Sequence, residues 1–212
     1  MRPGIHGRVG LRIGRKGSVM ARITPAEKSE WSPDLVDFIG EFRSSVLGDT
    51  PADTHPAGAN LLGTLARYPA LAKAFLSFNG HLLYGSTLGD RQRELLILRV
   101  AAVRRCDYEW AQHAILAEIA GMPEVEIKRV AAAEPDDEWA TADKTLLIAT
   151  DELLSDGAVG ARTWEILAAE FEQNQLMDIV FTVGTYDMLA MALRSFGVEP
   201  EDDLKPHLPR HR

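Results

Sequence analysis

Apolar residues recur at three- and four-residue intervals along almost the whole chain after Ser32, while alternating runs rich in Val, Ile and Thr are scarce. That spacing gathers apolar side chains on one helical face, so the pattern predicts an all-α protein. "SPDLVDFIGEF" opens a first helix, with Ser32 placed to cap it and Pro33 in its first turn, and the pattern fades near Gly48. The proline- and glycine-rich "GDTPADTHPAGAN" then reads as a loop. Two shorter helices follow in "ANLLGTLARYP" and "ALAKAFLSFNGHLL", divided at Pro69.

The run "STLGDRQRELLILRVAAVRR" stands apart. Asp90 is placed to cap it, and from Leu95 to Val103 it is apolar on nearly every side except at Arg99. A helix apolar all round is buried, in a core or at an interface. "QHAILAEIAG" stops at Gly121, and "MPEVEIKRVAA" restarts with Pro123 near its first turn. "DDEWATADKTLLIATDELLSDGAVG" carries Trp139, Ala142, Leu146, Ala149 and Leu153 at helical spacing; "ARTWEILAAEF" and the segment from Gln175 to Val198 complete the set. That last segment is the longest apolar one. Asp178, Asp187 and Arg194 interrupt it, whereas a spanning helix needs about 20 nearly uncharged residues, so it is expected to be a buried helix with no membrane partner.

Composition adds bounds. A chain of 212 residues, 46% hydrophobic and 25% charged, fits one helical domain, expected over residues 21–200. Residues 1–20 hold Arg2, Arg8, Arg12, Arg15 and Lys16, and no acid appears before Glu27. The apolar centre of a signal peptide is missing there, and a disordered basic arm is expected. The polar, proline-containing residues 201–212 read as a loose tail. The net charge of -8 argues against a nucleic-acid partner and leaves a small molecule as the expected one. With Cys106 as the single cysteine no intramolecular disulfide can form, and a cytoplasmic location is the simpler expectation.

The stretch "RCDYEWAQH" concentrates the candidate chemistry. On a helix Cys106, Glu109 and His113 fall at i, i+3 and i+7, within an arc of roughly 60 degrees, with Trp110 beside them as a possible aromatic wall. Upstream, Glu94 lies in otherwise apolar sequence, where a carboxylate needs a partner. The plainer alternatives stay open at this level: Glu109 and His113 also suit a solvated helix face, a lone cysteine is commonly an inert buried thiol, and Glu94 suits the first helical turn with Arg91 three residues away. His81 fits a core, an interface or a substrate site. No metal-spaced Cys/His set, Walker-type loop or dinucleotide fingerprint occurs.

On these residues, "RQRELLILRVAAVRRCDYEWAQHAILAEIAGM" resembles the core motif of the carboxymuconolactone decarboxylase and alkylhydroperoxidase D superfamily, in the order and spacing of Glu94, Cys106, Glu109 and His113. The similarity extends from about Phe75 to "GTYDMLAMALRSFGV". The resemblance implies an alkylhydroperoxidase D-like helical bundle, no cofactor, and a homo-oligomer, trimer or hexamer, that would cover the apolar faces around Leu95 to Val103. In the peroxidase branch a Cys-x-x-Cys pair works with an upstream glutamate and a following histidine. Here Glu109 stands at the second thiol position, which removes the two-cysteine cycle and leaves only a one-cysteine peroxidase using Cys106.

The "YEWAQH" form is more similar to the decarboxylase-type branch. The reading is a cofactor-free acid–base enzyme for a small carboxylated lactone or related acid, with His113, Glu109 and Glu94 as working groups and Cys106 lining the pocket. Trp110 would exclude water, and Arg91 or Arg99 would hold a carboxylate, with His81 a further contact. The one-cysteine peroxidase is the second reading. A catalytically silent oligomeric binding protein is the third.

Overall fold

A computed structural model of the chain describes residues 21–47 and 58–208, and among them nine α-helices and no strand. They are α1 (Pro33–Leu47), α2 (Ala59–Leu65), α3 (Pro69–Gly80), α4 (Asp90–Arg104), α5 (Asp107–Ile119), α6 (Glu124–Val130), α7 (Thr141–Asp156), α8 (Ala161–Glu170) and α9 (Gln173–Phe196). A π-helical turn, His81–Gly85, continues α3, and short 3-10 turns lie at Lys28–Glu30 and Lys205–His207. The all-α expectation holds. The expected basic arm, the fading of α1 at Gly48 and most of the loop that follows lie outside the described residues.

Local chemistry sets most boundaries. Ser32 Oγ accepts the N–H of Leu35 at 3.3 Å, and Pro33 is the first residue of α1, as the sequence predicts. At α4 the capping position falls to Gly89 rather than Asp90, which is the first helical residue. The other end of α4 is less ordinary. Arg105 takes the left-handed conformation, φ 52°, while the Cys106 N–H reaches back to the Ala101 carbonyl at 2.8 Å. That Schellman-type closure sets the direction in which α5 departs, with Cys106 as its N-terminal flanking residue and not part of the helix.

Two apolar clusters share α4. One joins Leu96, Ile97 and Val100 to Leu146 of α7, Leu167 of α8 and Ile179, Val183 and Tyr186 of α9. The other joins Leu95, Leu98 and Ala101 to Trp110, Ala114 and Ala117 of α5, Ile127 of α6 and Leu147 of α7. Leu95 to Ala101 is therefore buried in the core of one chain, one of the two settings that the pattern allowed, while Val103 beyond it is exposed. A third, smaller cluster ties α1 to α2 and α3 through Leu35, Ala66 and Ala72.

Helix α9 has the length and composition of a membrane-crossing segment, with a mean hydropathy of 1.5, and half of it is buried in the bundle. It packs on α4, α7 and α8, as a core helix does. Its inward carboxylates are matched: Asp178 accepts from the Thr87 N–H and hydroxyl, both at 2.7 Å, and Asp187 pairs with Arg104. The opposite face carries exposed Met177, Phe181, Met188 and Met191.

The C-terminal segment departs from the expected loose tail. Leu204 is buried, the His207 carbonyl accepts the Trp110 indole N–H at 3.1 Å, and Glu201 accepts from the Asn60 N–H at 2.8 Å and the Gln112 amide at 3.0 Å. These partners lie on α2 and α5, far away in sequence, so the composition of the tail carried no sign of its docking.

Candidate active site

Helix α4 buries Glu94 completely, and α5 delivers a partner to it: Oε2 of Glu94 lies 2.7 Å from Nδ1 of His113. The other oxygen, Oε1, accepts from Nε of Arg93 at 3.2 Å. A carboxylate at Nδ1 fixes the imidazole so that Nδ1 carries hydrogen and Nε2 is left as the working nitrogen. Nε2 has no protein partner among the described residues. The His113 ring also meets Tyr186 of α9 edge-on, with centroids 5.0 Å apart and planes at 89°, so its plane is held from two sides.

His113 opens on a cavity of about 380 Å³. Its apolar walls include Phe42 of α1, Leu61 and Leu62 of α2, Leu83 of the π-turn and Leu189 of α9. Gly80 makes room for one of them, because a Cβ there would overlap the Phe42 ring. Its polar lining comprises Arg43, Asn79, Tyr84, Asp90, Arg93, Tyr108, Glu109, Gln112 and Tyr186 beside His113. This is a mostly apolar concavity with a few converging polar groups, the usual form of a small-molecule site.

Glu109 is the most unusual of them. It is 2% exposed, and neither carboxyl oxygen has a hydrogen-bond partner of ordinary geometry. Burial pushes its pKa well above the usual carboxylate range; the neighbouring Cys106 thiol opposes the shift and Asp187 adds to it. Burial thus favours the protonated carboxylic acid over the carboxylate. Cys106 is equally buried, and its titration is displaced strongly upward, first by burial and then by the adjoining Glu109 carboxyl group. It packs among the apolar cluster of α4, α7 and α9 and does not line the cavity. Tyr186, buried next to Glu94 and Glu109, is also held as the neutral phenol, chiefly by burial.

The sequence candidates thus divide. Glu94, Glu109 and His113 converge, and Cys106 sits behind Glu109. Trp110 is turned away from the cavity into the second cluster, because the face of α5 that carries it packs against Leu95 and Leu98 of α4. Arg91 is taken up by Glu126 at 2.7 Å and Asp143 at 2.8 Å. Arg99 is buried against both Asp151 oxygens, at 2.7 and 2.6 Å, and the carbonyls of Val130, Ala132 and Ala133. His81 is exposed on the π-turn, 3.8 Å from Asp178, outside the cavity. These four expected contacts give way to Arg43, Asn79, Tyr84, Arg93 and Tyr186. Only Arg93, adjacent to Glu94, had any signal in the sequence. Among the described residues no cluster of three or more His, Cys, Asp or Glu side chains could hold a metal ion.

An all-helical bundle that buries a glutamate–histidine pair beside an apolar cavity defines a class of protein, and the comparisons agree with it. Residues 69–151 match the sequence model of the Carboxymuconolactone decarboxylase family. Over that segment the chain is similar to the carboxymuconolactone decarboxylase family. Among solved structures it is similar to the alkylhydroperoxidase AhpD core of a peroxidase-related protein from Ralstonia eutropha JMP134, at 18% identity and a TM-score of 0.72, over 92% of this chain and 100% of that one. A peroxidase-related protein from Silicibacter sp. TM1040 matches at 18% identity and 0.66, over 90% and 97%. The debrominase Bmp8, in complex with 2,3,4-tribromopyrrole, matches at 14% identity and 0.70, also over 90% and 97%. At these identities the likeness is one of fold. No curated protein sequence matches the chain.

Proposed function

We propose that this protein is an acid–base enzyme of the decarboxylase type, acting without a redox cycle on a small, largely apolar cyclic acid such as a carboxylated unsaturated lactone. The observation that carries the reading is Glu109, a buried carboxyl without a hydrogen-bond partner in the cavity wall, standing where the peroxidase branch has its second thiol. In the proposed reaction the bond from the ring carbon to the carboxylate breaks, CO2 departs, and the electron pair passes into the lactone carbonyl as an enolate. Neutral Glu109 and the Tyr186 hydroxyl are donors for that developing oxyanion. His113, fixed by Glu94, takes a proton from solvent on Nε2 and gives it to carbon as the enolate collapses, so that one solvent proton is consumed in each turnover. The apolar walls keep water from the charge that forms.

The thiol peroxidase reading has less support: a reactive cysteine needs an electropositive, accessible setting, and Cys106 has a carboxyl group, burial and no opening to the cavity. The fold also accommodates a halogenated pyrrole in the debrominase, which keeps small planar rings in general within the substrate class proposed here. A homo-oligomer formed through the exposed apolar face of α9, in the cytoplasm, completes the proposal.

The test is a screen of small carboxylated lactones, followed by variants. Turnover is expected to fall by about 10²-fold or more in His113→Gln and to stay within a few-fold of wild type in Cys106→Ala. Loss of turnover in Cys106→Ala with retention in His113→Gln would reverse the assignment.

A further inference from the structure

The two arginines expected to hold a substrate anion are occupied, and two unexpected ones stand in the cavity wall. Arg93 of α4 spends part of its guanidinium on Glu94 and on the exposed Asp90. Arg43, on α1, is half-buried, lines the same cavity and makes no ion pair or hydrogen bond among the described residues. Arg43, Tyr84 and Arg93 line the same cavity, and both cations act on the Tyr84 hydroxyl. Of the negative groups nearby, Asp90, which also lines the cavity, pairs with Arg93, and Glu94 is shared between Arg93 and His113. Burial favours the protonated form of Glu109, so Arg43 carries the charge left uncompensated. A chain with a net charge of -8 thus turns positive charge inward at this point, and a cavity with low-dielectric walls focuses that field on a bound anion.

We infer that Arg43, with Arg93 and Tyr84, forms the subsite that anchors an anionic group of the ligand, and that Arg43 determines the preference for acids over their neutral analogues. The inference rests on the proposed acid–base reading for the identity of the cavity as the substrate site. A cation against the departing carboxylate would stabilise the ground state more than the transition state, so the anchored group is one that the product keeps. Binding energy at that remote end then positions the ring against His113 and Glu109. Arg43 belongs to α1, outside the segment that matches the family model, so this specificity is a property of the chain's own N-terminal helix.

The experiment is calorimetric titration of wild type, Arg43→Gln and Arg43→Lys with 2-furoate and with its neutral analogue 2-furamide. Wild type is expected to prefer furoate by about ten-fold or more, the scale of one charge-assisted hydrogen bond. Arg43→Gln should lose that preference with furamide affinity unchanged. Arg43→Lys should keep part of it. Equal binding of the two probes by wild type, no binding of either, or undiminished furoate affinity in Arg43→Gln would overturn the subsite. The two readings fail separately. A furoate preference that depends on Arg43 in a protein that turns over no lactone removes the acid–base reading alone, whereas turnover with an unchanged KM in Arg43→Gln removes the subsite alone.

Discussion

Glu94 Oε2 and His113 Nδ1 lie 2.7 Å apart across 19 positions of sequence, with the glutamate wholly buried and the histidine at the cavity wall. The pair gives the imidazole one tautomer and one orientation. Glu94→Gln keeps the volume but places an amide against Nδ1, and its N–H₂ can stabilise the opposite tautomer. The expected outcome is a fall in kcat of about 10²–10⁴-fold with a small change in KM, since the defect appears in proton transfer and not in binding. Steady-state kinetics on the lactone identified by screening would check it, and a variant altered only in KM would remove Glu94 from the proton relay.

Glu109 makes the protein's stability depend on pH in a particular direction. Its folded pKa is raised, so the folded state holds a proton that the unfolded chain releases above about pH 4.3. The favourable contribution is complete below that value and is lost as pH rises toward the folded pKa. Glu109→Gln, neutral at all pH values, should therefore melt higher than wild type at pH 8, and the gap should close near pH 4. Each kcal/mol recovered corresponds to about 2–4 °C in Tm for a chain of this size. Melting curves across pH would test it; a gap that widens toward acid would mean that Glu109 is ionised in the fold.

Arg99 is predicted to be structural. Removing it in Arg99→Met leaves Asp151 and the carbonyls of Val130, Ala132 and Ala133 without their donor, at an expected cost of about 3 kcal/mol. Urea denaturation should show that loss, while KM for any acidic substrate stays unchanged at a temperature where the variant is folded. A KM effect without loss of stability would return Arg99 to the binding site.

The exposed face of α9 predicts self-association. Met177, Phe181, Met188 and Met191 repeat along one side of the helix, each about half exposed, and Phe78 of α3 joins them edge-on at Phe181, with centroids 6.1 Å apart. Light scattering on the eluted protein should report a multiple of 23.3 kDa, and Phe181→Asp combined with Met188→Asp should reduce it. A wild-type monomer at tens of micromolar concentration would leave that face unexplained and defeat the oligomer proposal.

The sequence by itself determined the helices and three of the working groups. Helical spacing, Ser32 and Pro33 at the start of α1, Pro69 at α3 and Gly121 after α5 are local properties of the chain, and local hydrogen bonding obeyed them. The order of Glu94, Glu109 and His113 was legible for a related reason: two neighbouring helices joined by a tight turn bring fixed positions together almost automatically. What each group faces was decided only by tertiary packing. Trp110 and His113 are three residues apart on α5, yet one enters a core and the other a cavity, because α4 covers the first and leaves the second open. Arg91 and Arg99 found carboxylates some fifty residues away on α7, which removed them from any role in binding. Arg43, Asn79 and Tyr186 reached the site from α1, α3 and α9. Cavity walls are assembled by contacts between distant elements, and the chain's pattern records which face of a helix is buried but not what it is buried against.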